Sequence, residues 1–295
     1  MDVRLLRAFL AVANHGHFGV AAESLSLSQP GLSKQIHSLE AQLSGALFCR
    51  GRQGAVLTDL GKMLLPDAAD IVRRTDALVR RAGQASRGET GHLNVGFGLS
   101  SIELAPKAVA AFRQRYPEAD VTLDDMPSDV QVARLRSGEL HVGFARLPAP
   151  EDVGQFVVQQ DRLALAMPDD GTPSPGHPAE LAAWLETRRF IRLDPLRGRG
   201  QANQVERFFA ACGARPRVLQ DAQDQLTILA LVAAGVGVAL VPASAAVIAP
   251  PSVTIMPLDH TAAAWKIGVI WSRSHRTPMI RNFLDVVRRL FDVAT

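Results

Sequence analysis

The sequence is poor in cysteine, with only Cys49 and Cys212 in 295 residues. They lie far apart, and neither has a second cysteine nearby, which argues against a disulfide framework, a zinc site and a dithiol redox sensor. Long uncharged hydrophobic runs are also missing, since no segment approaches the ~18 apolar residues of a membrane span. We therefore expect no metal, no cofactor and no membrane partner.

The beginning of the chain lacks the features of a secretion signal. Its first residues, MDVRLLRAFLAVANHG, include Asp2, Arg4 and Arg7 and offer no small-residue cleavage site. The sequence thus predicts a cytoplasmic protein. This also argues against a secreted solute-binding protein.

Catalytic motifs are missing as well. No Ser/His/Asp or Cys/His set has motif spacing, and the sequence contains neither HExxH nor a Walker motif. GFGLSS follows an apparent strand, but Ser101 stands where a dinucleotide site has its third glycine. The chain is therefore not expected to be an enzyme, and turnover of a bound small molecule would contradict this.

Net charge is small, at +3, but it is unevenly distributed. Residues 1–90 contain 11 Lys and Arg against 8 Asp and Glu, whereas the rest of the chain contains 21 of each. The positive excess therefore lies entirely in the N-terminal third. Such a bias is typical of a segment that binds phosphate, and a partner of this kind is double-stranded DNA.

Two neighbouring segments near the N-terminus have apolar residues at helical spacing. These residues are Phe18, Ala21, Ala22 and Leu25 in the first, and Leu32, Ile36, Leu39 and Leu43 in the second. Ser26-Leu27-Ser28 makes a short turn between them, and Ser28 is a good N-cap. The pattern fits a helix-turn-helix, but an ordinary helical hairpin fits the periodicity equally well.

The second of these helices begins with Pro30 and Gly31, two poor helix formers. Proline is tolerated in a first turn, whose N–H groups lack helical partners, and Gly31 allows another backbone to approach closely. The first turn contains no Asp or Glu. We interpret its small residues and free N–H groups as suited to a phosphate backbone.

Residues 47–58, LFCRGRQGAVLT, predict a small β-hairpin or wing with Arg50 and Arg52 at or near its tip. Basic residues on such an arm suit the DNA backbone or minor groove, and the alternative is a solvated basic turn. Asp59 to about Arg87 then predicts one long helix with a heptad-like stripe suited to packing against a second copy. The alternative is a helix packed on its own domain. The stripe consists of Leu64, Ala68, Ile71, Thr75, Leu78 and Ala82.

GETGHLNVGFG, residues 88–98, marks a glycine-rich break, after which strands and helices alternate as in an α/β sheet domain. Strands are expected at 93–97, 121–124, 141–145, 156–158, 163–166, 190–192, 217–220, 238–241 and 265–271. Helices are expected at 102–115, 129–137, 178–185, 202–211, 225–234 and 278–291.

Several motifs together resemble the LysR-type transcriptional regulators. The run F-x-A-V-A-x-x-G-x-F-x-x-A-A-E-x-L-x-L-S-Q-P-x-L-S-x-Q-I-x-x-L-E spans Phe9 to Glu40. LFCR at 47–50 and LTDLG at 57–61 match the family's wing and the start of its linker helix. GLSSIELAPKAVAAFRQRYP, LRSGELHVGFAR and LVAAGVGVALVPAS resemble its effector domain. The resemblance covers essentially the whole chain.

The resemblance implies a multidomain fold of α and α/β parts. It places a winged helix-turn-helix at 1–58, a linker and dimerisation helix at 59–88, and an effector-binding domain at 89–295. That domain should resemble a periplasmic-binding protein, with subdomain I at 91–161 plus 266–295 and subdomain II at 162–265. The implied partners are promoter or operator DNA, a small-molecule effector, and further copies of the chain in a homodimer or homotetramer.

The family motif also implies which residues contact DNA. Those expected to reach the major groove or its backbone are Gln29, Pro30, Ser33, Lys34 and His37 on the second helix, with Arg50 and Arg52 on the wing. Lys34 is often Arg in relatives, and Lys lacks the bidentate fork that reads guanine. In the wing, Arg52 replaces a basic residue that relatives have at the position of Gln53.

The expected effector site combines hydroxyl groups with one guanidinium. Ser100 and Ser101 start a helix, Ser128 lies at a strand-to-helix junction, and Arg146 follows a buried-looking strand. Gln201 and Asn203, after the loop DPLRGRG, are expected to face them. The chain resembles the branch that responds to aromatic or dicarboxylic acids, and hydroxyls with a guanidinium suit a carboxylate. The alternatives are serines that only cap helices and an Arg146 that only bridges the subdomains.

Overall fold

The structure is a computed structural model that describes residues 1–51, 54–171, 174–175 and 180–293. The chain divides into two units, Met1–Ala85 and Ser86–Thr295. Within the described ranges, no helix combines the length and the apolar character needed to cross a membrane. The finer domain limits expected from the sequence stay predictions.

The first unit consists of four helices and a two-stranded hairpin. Its elements are α1 (Val3–His15), α2 (Phe18–Ser24), α3 (Gln29–Leu43), β1 (Phe48–Gly51), β2 (Gly54–Leu57) and α4 (Asp59–Ser86). Their apolar faces share one core, in which Phe9 packs against Phe48 with 5.5 Å between ring centres. The predicted core positions Leu32, Ile36 and Leu39 are all fully buried there. The second and third helices therefore form the helix-turn-helix of a three-helix core rather than an isolated hairpin.

Local capping explains where these helices begin and end. The Asp2 carboxylate accepts from the Arg4 N–H at the start of α1, and Gly16 ends that helix with φ +67°. Ser28 caps α3 as predicted, accepting the Gly31 N–H at 3.2 Å, with Pro30 in the first turn. These three signals are local in sequence.

The wing is tied to the end of α1. The Ala55 N–H donates to the Gly16 carbonyl at 2.7 Å, and Gly54 has φ +104°. A Cβ at Gly54 would lie 2.5 Å from that carbonyl oxygen, so a side chain there would force the wing away from α1. The predicted hairpin is confirmed over 48–51 and 54–57, while Arg52 and Gln53 lie outside the described residues.

The long helix α4 divides its stripe between two environments. Near its start, Ala68 is buried in the first unit's core, and Leu64 packs beside it. Further along, Ile71 and Leu78 are 45% and 62% exposed. The packing of the helix on its own domain therefore accounts for the first half of the stripe, whereas Ile71 and Leu78 in the second half stay exposed.

The second unit is an α/β unit built on one continuous path of strands. Its strands are β3 (Gly91–Phe97), β4 (Ala119–Asp125), β5 (Val142–Leu147), β6 (Val153–Pro168), β7 (Arg189–Leu193), β8 (Arg217–Ala222), β9 (Val238–Pro242), β10 (Val253–Pro257) and β11 (Ala264–Ser272). Its helices are α5 (Leu104–Arg115), α6 (Ser128–Ser137), α7 (Leu181–Glu186), α8 (Arg199–Cys212), α9 (Gln225–Ala233) and α10 (Pro278–Leu290).

The strand order is β4-β3-β5-β11-β6-β9-β7-β8, with β10 paired to β6. The outer strands at each end run parallel, whereas β6 and β11 are antiparallel to each other in the middle. The strand β6 changes partner along its length, since Arg162 pairs with β11 and Leu163 pairs with β9. It thus joins two halves of the sheet. One apolar core runs through both halves, and each half adds a smaller core of its own.

Two sequence expectations for this unit are wrong in detail, and one strand is missing from them. The strands expected at 156–158 and 163–166 form the single strand β6, because both sheet halves supply it with partners. The strand β10 was not expected at all. A short 3₁₀ turn at Leu99–Ser101 precedes α5, which begins at Leu104 instead of residue 102.

Candidate functional sites

The expected DNA-contacting residues of α3 lie on its outer side. Gln29, Pro30, Lys34 and His37 are exposed and Ser33 is half-buried, while the opposite face packs into the core. No acidic residue occurs in the first turn. The helix therefore presents amide, hydroxyl and ammonium groups together on an accessible surface.

The start of α3 is less open than the sequence suggests. Among the first three residues of the helix, Pro30 has no N–H and the Gly31 N–H is accepted by the Ser28 hydroxyl, so only the Gln29 N–H is left without a partner of this kind. A Cβ at Gly31 would lie 3.1 Å from the Ser28 hydroxyl, so the cap itself favours glycine. Side chains on α3 are consequently better placed than an array of free N–H groups to contact a phosphate backbone.

Glu40 is a structural residue that the sequence analysis did not single out. Its Oε1 accepts the N–H groups of Leu47 at 2.8 Å and Phe48 at 3.4 Å, and His37 lies 3.4 Å from its Oε2. Glu40 thereby joins α3 to the first strand of the wing. The motif ended on this residue, but only the folded chain shows what its carboxylate holds.

The wing arginines stay predictions. The backbone of Arg50 pairs with Ala55 in the hairpin, but its side chain is outside what the structure describes. Arg52 as a whole lies outside the described residues.

A cleft of about 430 Å³ opens in the second unit at the carboxyl ends of β3, β4, β5 and β7. This is the edge at which open α/β sheets bind ligands. Five of the six expected effector-binding residues line it, namely Ser100, Ser101, Ser128, Arg146 and Gln201. Asn203 lines a neighbouring cavity instead, because it lies on another side of α8.

The three serines of the cleft differ in what their hydroxyls can do. Ser101 Oγ donates to the Gly98 carbonyl at 2.9 Å and accepts the Gly98 N–H at 3.3 Å, so it is engaged in a cap. Ser128 Oγ accepts the Arg146 N–H at 3.2 Å. Ser100 Oγ makes no hydrogen bond within the described part of the chain. Ser100 is therefore the serine most available to a ligand.

Arg146 connects the two halves of the sheet. Its Nη1 donates to the Gly200 carbonyl on α8 at 3.1 Å, and its guanidinium stacks on Trp265 at 3.7 Å from the ring centre. Burial lowers the pKa of Arg146 to about 10. The Asp161 carboxylate acts in the opposite direction and raises this pKa, whereas the positive charge of Arg207 lowers it further. The residue remains a cation at neutral pH, and it bridges the halves as well as lining the cleft.

Two glutamines form the floor on the α8 and α9 side. Gln201 Nε2 donates to the Leu240 carbonyl at 3.3 Å, and its Oε1 accepts from Gln225 Nε2 at 2.7 Å. The remaining amide oxygen, Gln225 Oε1, is buried with no partner among the described residues. A ligand hydroxyl is the kind of donor that this oxygen lacks.

Sequence reasoning missed three charged residues of the cleft, Arg197, Asp125 and Asp224. The Asp224 carboxylate accepts the Thr227 N–H and so caps α9. Arg197 adds a second guanidinium near the rim, with its Nη2 3.5 Å from Gln223 Oε1. Asp125 ends β4 in the cleft wall, and burial raises the pKa of its carboxyl group. The loop DPLRGRG showed that arginines were nearby, but its path into the cleft follows from tertiary packing alone.

A helix-turn-helix unit joined to an α/β unit with a ligand-sized cleft defines a DNA-binding protein with a sensory domain. Comparison with known proteins agrees: residues 3–62 match the bacterial regulatory helix-turn-helix protein, lysR family, and residues 86–292 match the LysR substrate binding domain. The HTH-type transcriptional regulator TfdS of Cupriavidus pinatubonensis is 36% identical over 293 residues, covering 98% of each chain.

Solved structures give the same result. The crystal structure of CbnR, a LysR family transcriptional regulator, has a TM-score of 0.83 at 32% identity, covering 98% of this chain and 100% of CbnR. Full-length CbnR complexed with its target DNA has a TM-score of 0.80 at 30% identity, covering 98% of this chain and 99% of that one. The chain therefore belongs to the LysR family of transcriptional regulators. It is a DNA-binding regulator with an effector-binding domain, and not an enzyme.

Proposed function

We propose that this regulator binds promoter or operator DNA through α3 and the wing, and that a small aromatic or dicarboxylic acid in the cleft switches it. It acts in the cytoplasm as a homodimer or homotetramer. The DNA contacts are those expected from the motif, with Lys34 supplying positive charge on α3. The exposed second half of the α4 stripe supplies the contact between copies.

The effector assignment rests on one observation: two guanidinium groups and a hydroxyl group without a hydrogen bond to the described chain line the same cleft. Arg146, Arg197 and Ser100 all line one cleft. Guanidinium groups bind carboxylates strongly because charge and hydrogen-bond geometry match. The helices α6, α8 and α9 all begin at or next to residues of the cleft lining, where their dipoles also favour an anion.

The rest of the lining supports a ligand with a flat apolar body. Leu99, Met126, Phe144 and Ile267 face the cleft beside the polar groups. Most of a small ligand's surface is usually buried against side chains of this kind, while a few polar groups fix its orientation. A benzoate-like or muconate-like acid satisfies both requirements.

Coupling to DNA follows from the position of Arg146. Its hydrogen bond to Gly200 joins β5 in one half of the sheet to α8 in the other. A ligand that binds better to one arrangement of the halves shifts the population toward it. Such a shift changes how paired DNA-binding units sit on half-sites, and so transcription.

The proposal is tested by thermal shift with benzoate and cis,cis-muconate, comparing Arg197→Gln with Arg199→Gln. Both changes remove one positive charge, but Arg199 is not part of the cleft lining. At least one acid is expected to raise the melting temperature of the wild type and of Arg199→Gln, and the shift should grow with the logarithm of the acid concentration above its Kd. Arg197→Gln should largely lose the shift. Equal shifts in both variants would overturn the carboxylate site.

A further inference from the structure

Gln131 is a fully buried polar residue close to the effector cleft, although it does not line the cleft itself. It lies near the start of α6, and its side-chain Nε2 donates to the Met126 carbonyl and to the Phe144 carbonyl, each at 3.0 Å. Both partners can only accept, so the amide nitrogen and not the amide oxygen must face them. Both hydrogens of the amide group are thereby used inside the protein.

This amide group links two strands that are not neighbours. Met126 directly follows β4 and Phe144 belongs to β5, while β3 lies between these strands in the sheet. The Met126 N–H donates in turn to the Phe97 carbonyl of β3 at 2.8 Å. The ends of three strands are therefore connected at the edge of the sheet where the cleft opens.

Two glycines inside the strands leave room for the Gln131 side chain. Gly96 of β3 and Gly143 of β5 are paired in register, and each is the middle residue of a Val-Gly-Phe segment. A Cβ at Gly96 would lie 3.2 Å from Gln131 Cγ, and a Cβ at Gly143 would collide with Gln131 Oε1. Glycine weakens a strand interior and often marks a place where another group approaches closely. Here the group that approaches is one long side chain lying across the sheet.

The backbone that Gln131 holds forms one wall of the cleft. Met126 and Phe144 both line the cleft, and Ser128 and Arg146, each two residues further along the chain, line it as well. The Arg146 N–H donates to Ser128 Oγ at 3.2 Å, so the start of α6 is bonded to the end of β5 twice. A residue without a donor at position 131 would remove one of these two bonds and leave a buried carbonyl unpaired, which is costly.

We infer that Gln131 is a positioning residue of the effector cleft, which acts through the backbone of Met126 and Phe144 and does not touch the ligand. It holds the start of α6 against the end of β5 and so fixes where the Ser128 hydroxyl and the Arg146 guanidinium lie. This role rests on the proposed function in that the ligand is a small carboxylate. A guanidinium binds a carboxylate strongly only in the right geometry, and that geometry depends on supporting hydrogen bonds.

The test compares Gln131→Met with Leu135→Ala by calorimetric titration of the full chain with benzoate and cis,cis-muconate. Because Gln131 Oε1 has no partner among the described residues, methionine removes only the two bonds of Nε2 and keeps most of the side-chain length. Leu135 is a fully buried apolar residue of the same helix. Both changes should lower the melting temperature, so the titrations are made at a temperature where both variants are folded.

Under these conditions Gln131→Met should bind the acid about tenfold more weakly than the wild type, as expected when one hydrogen bond to a charged group is misplaced. Leu135→Ala should bind it with nearly the affinity of the wild type. Equal Kd values in the two variants would overturn the positioning role, because a loss of stability alone would then explain both.

Gln131→Glu tests whether a donor at this position restores binding. Burial raises the pKa of a glutamate, so at pH 5.5 its side chain is protonated and its O–H can donate to one of the two carbonyls. Gln131→Glu should therefore bind the acid more tightly than Gln131→Met at this pH. Equal affinities would overturn the donor role of the amide.

Hydrogen exchange, followed residue by residue by NMR, separates this role from the proposed function because it needs no ligand. The Arg146 and Met126 amide protons should exchange faster in Gln131→Met than in Leu135→Ala, since both protons are bonded within the wall that Gln131 holds. Equal protection in the two variants would overturn the positioning role. Faster exchange together with no acid binding by the wild type would support the positioning role and overturn the carboxylate effector.

Discussion

The Arg146 guanidinium carbon lies 3.7 Å from the centre of the Trp265 ring, while its Nη1 donates to Gly200 at 3.1 Å. One side chain thus joins β5, α8 and β11. A guanidinium stacked on an indole in a desolvated setting contributes about 2 kcal/mol. Arg146 therefore stabilises the packing of the second unit and is also a candidate ligand contact.

Arg146→Lys should destabilise the second unit although it preserves the charge. Lysine lacks the planar group that stacks on Trp265, so a loss of about 1–2 kcal/mol is expected, or roughly 2–8 °C in melting temperature. All three tryptophans, Trp184, Trp265 and Trp271, lie in this unit, so tryptophan fluorescence reports its melting. Arg162→Lys is the control, because Arg162 makes only an exposed pair with Asp259. Equal melting temperatures of Arg146→Lys and Arg162→Lys would contradict the stabilising role of Arg146.

Ser100 and Ser101 should separate ligand binding from stability. Ser101→Ala removes the hydroxyl that bonds Gly98 and should lower the melting temperature of the unliganded protein, with loss of about 1 kcal/mol. Ser100→Ala should leave that temperature almost unchanged and reduce the shift produced by benzoate or muconate. Melts with and without the acid distinguish the two. The opposite result would contradict these roles: Ser100 would then be the residue needed for stability and Ser101 the residue that contacts the ligand.

Asp125→Asn should stabilise the second unit at neutral pH. Burial raises the pKa of Asp125 in the folded chain, so ionisation costs more there than in the unfolded chain. The penalty is absent below the pKa of about 4 that Asp has in the unfolded chain, and it reaches its full size above the raised pKa of the folded chain. The variant's advantage in melting temperature should consequently appear as pH rises through that window.

The neighbouring Asp124 supplies a matched charge control. It is exposed like Asp125 and lies on the same strand, but it is outside the cleft lining. Asp125→Asn should also tighten binding of a carboxylate, since a negative charge leaves the wall of the cleft. Weaker binding would mean that Asp125 serves the ligand as an acceptor.

Lys34→Ala should weaken binding to a random-sequence DNA duplex and reduce its salt dependence. A lysine that neutralises one phosphate contributes about 0.9 to the slope of log affinity against log salt. The slope should therefore fall by about one per bound subunit in mobility-shift titrations. Lys107→Ala provides the comparison, because Lys107 lies in the second unit and pairs with Glu103. A slope unchanged in Lys34→Ala would remove this residue from the phosphate contacts.

Leu78→Glu should break the contact between copies of the chain. Leu78 is 62% exposed in the open half of the α4 stripe, and a buried glutamate in a helix-to-helix contact would be strongly unfavourable. Sedimentation should show a smaller assembly. Leu226→Glu changes an equally exposed leucine, at 64%, on α9 and should leave the assembly intact. An assembly of unchanged size in Leu78→Glu, or the same loss of size in both variants, would contradict an interface specific to Leu78 on α4.

Much of the first unit follows from the sequence because its signals are local. Ser28 caps α3 through a hydrogen bond to a residue three positions away, and the buried positions Leu32, Ile36 and Leu39 follow helical periodicity. The long helix α4 was predicted from Asp59 to about Arg87 and runs from Asp59 to Ser86, since nothing within it interrupts the ladder except Pro66. Such features depend on neighbours within one or two helical turns.

The cleft and its neighbouring cavity were decided by tertiary structure. Arg146 and Gly200 are 54 residues apart, and nothing local relates them. Asn203 was expected in the cleft, but its position on α8 places it in the neighbouring cavity. Arg197 was seen only as part of a loop, but that loop lines the cleft. Local sequence is enough to predict which chemical groups are available and at which helix starts they lie. Only the packing of distant strands decided which of those groups face one another, because that depends on long-range contacts that no short stretch of sequence encodes.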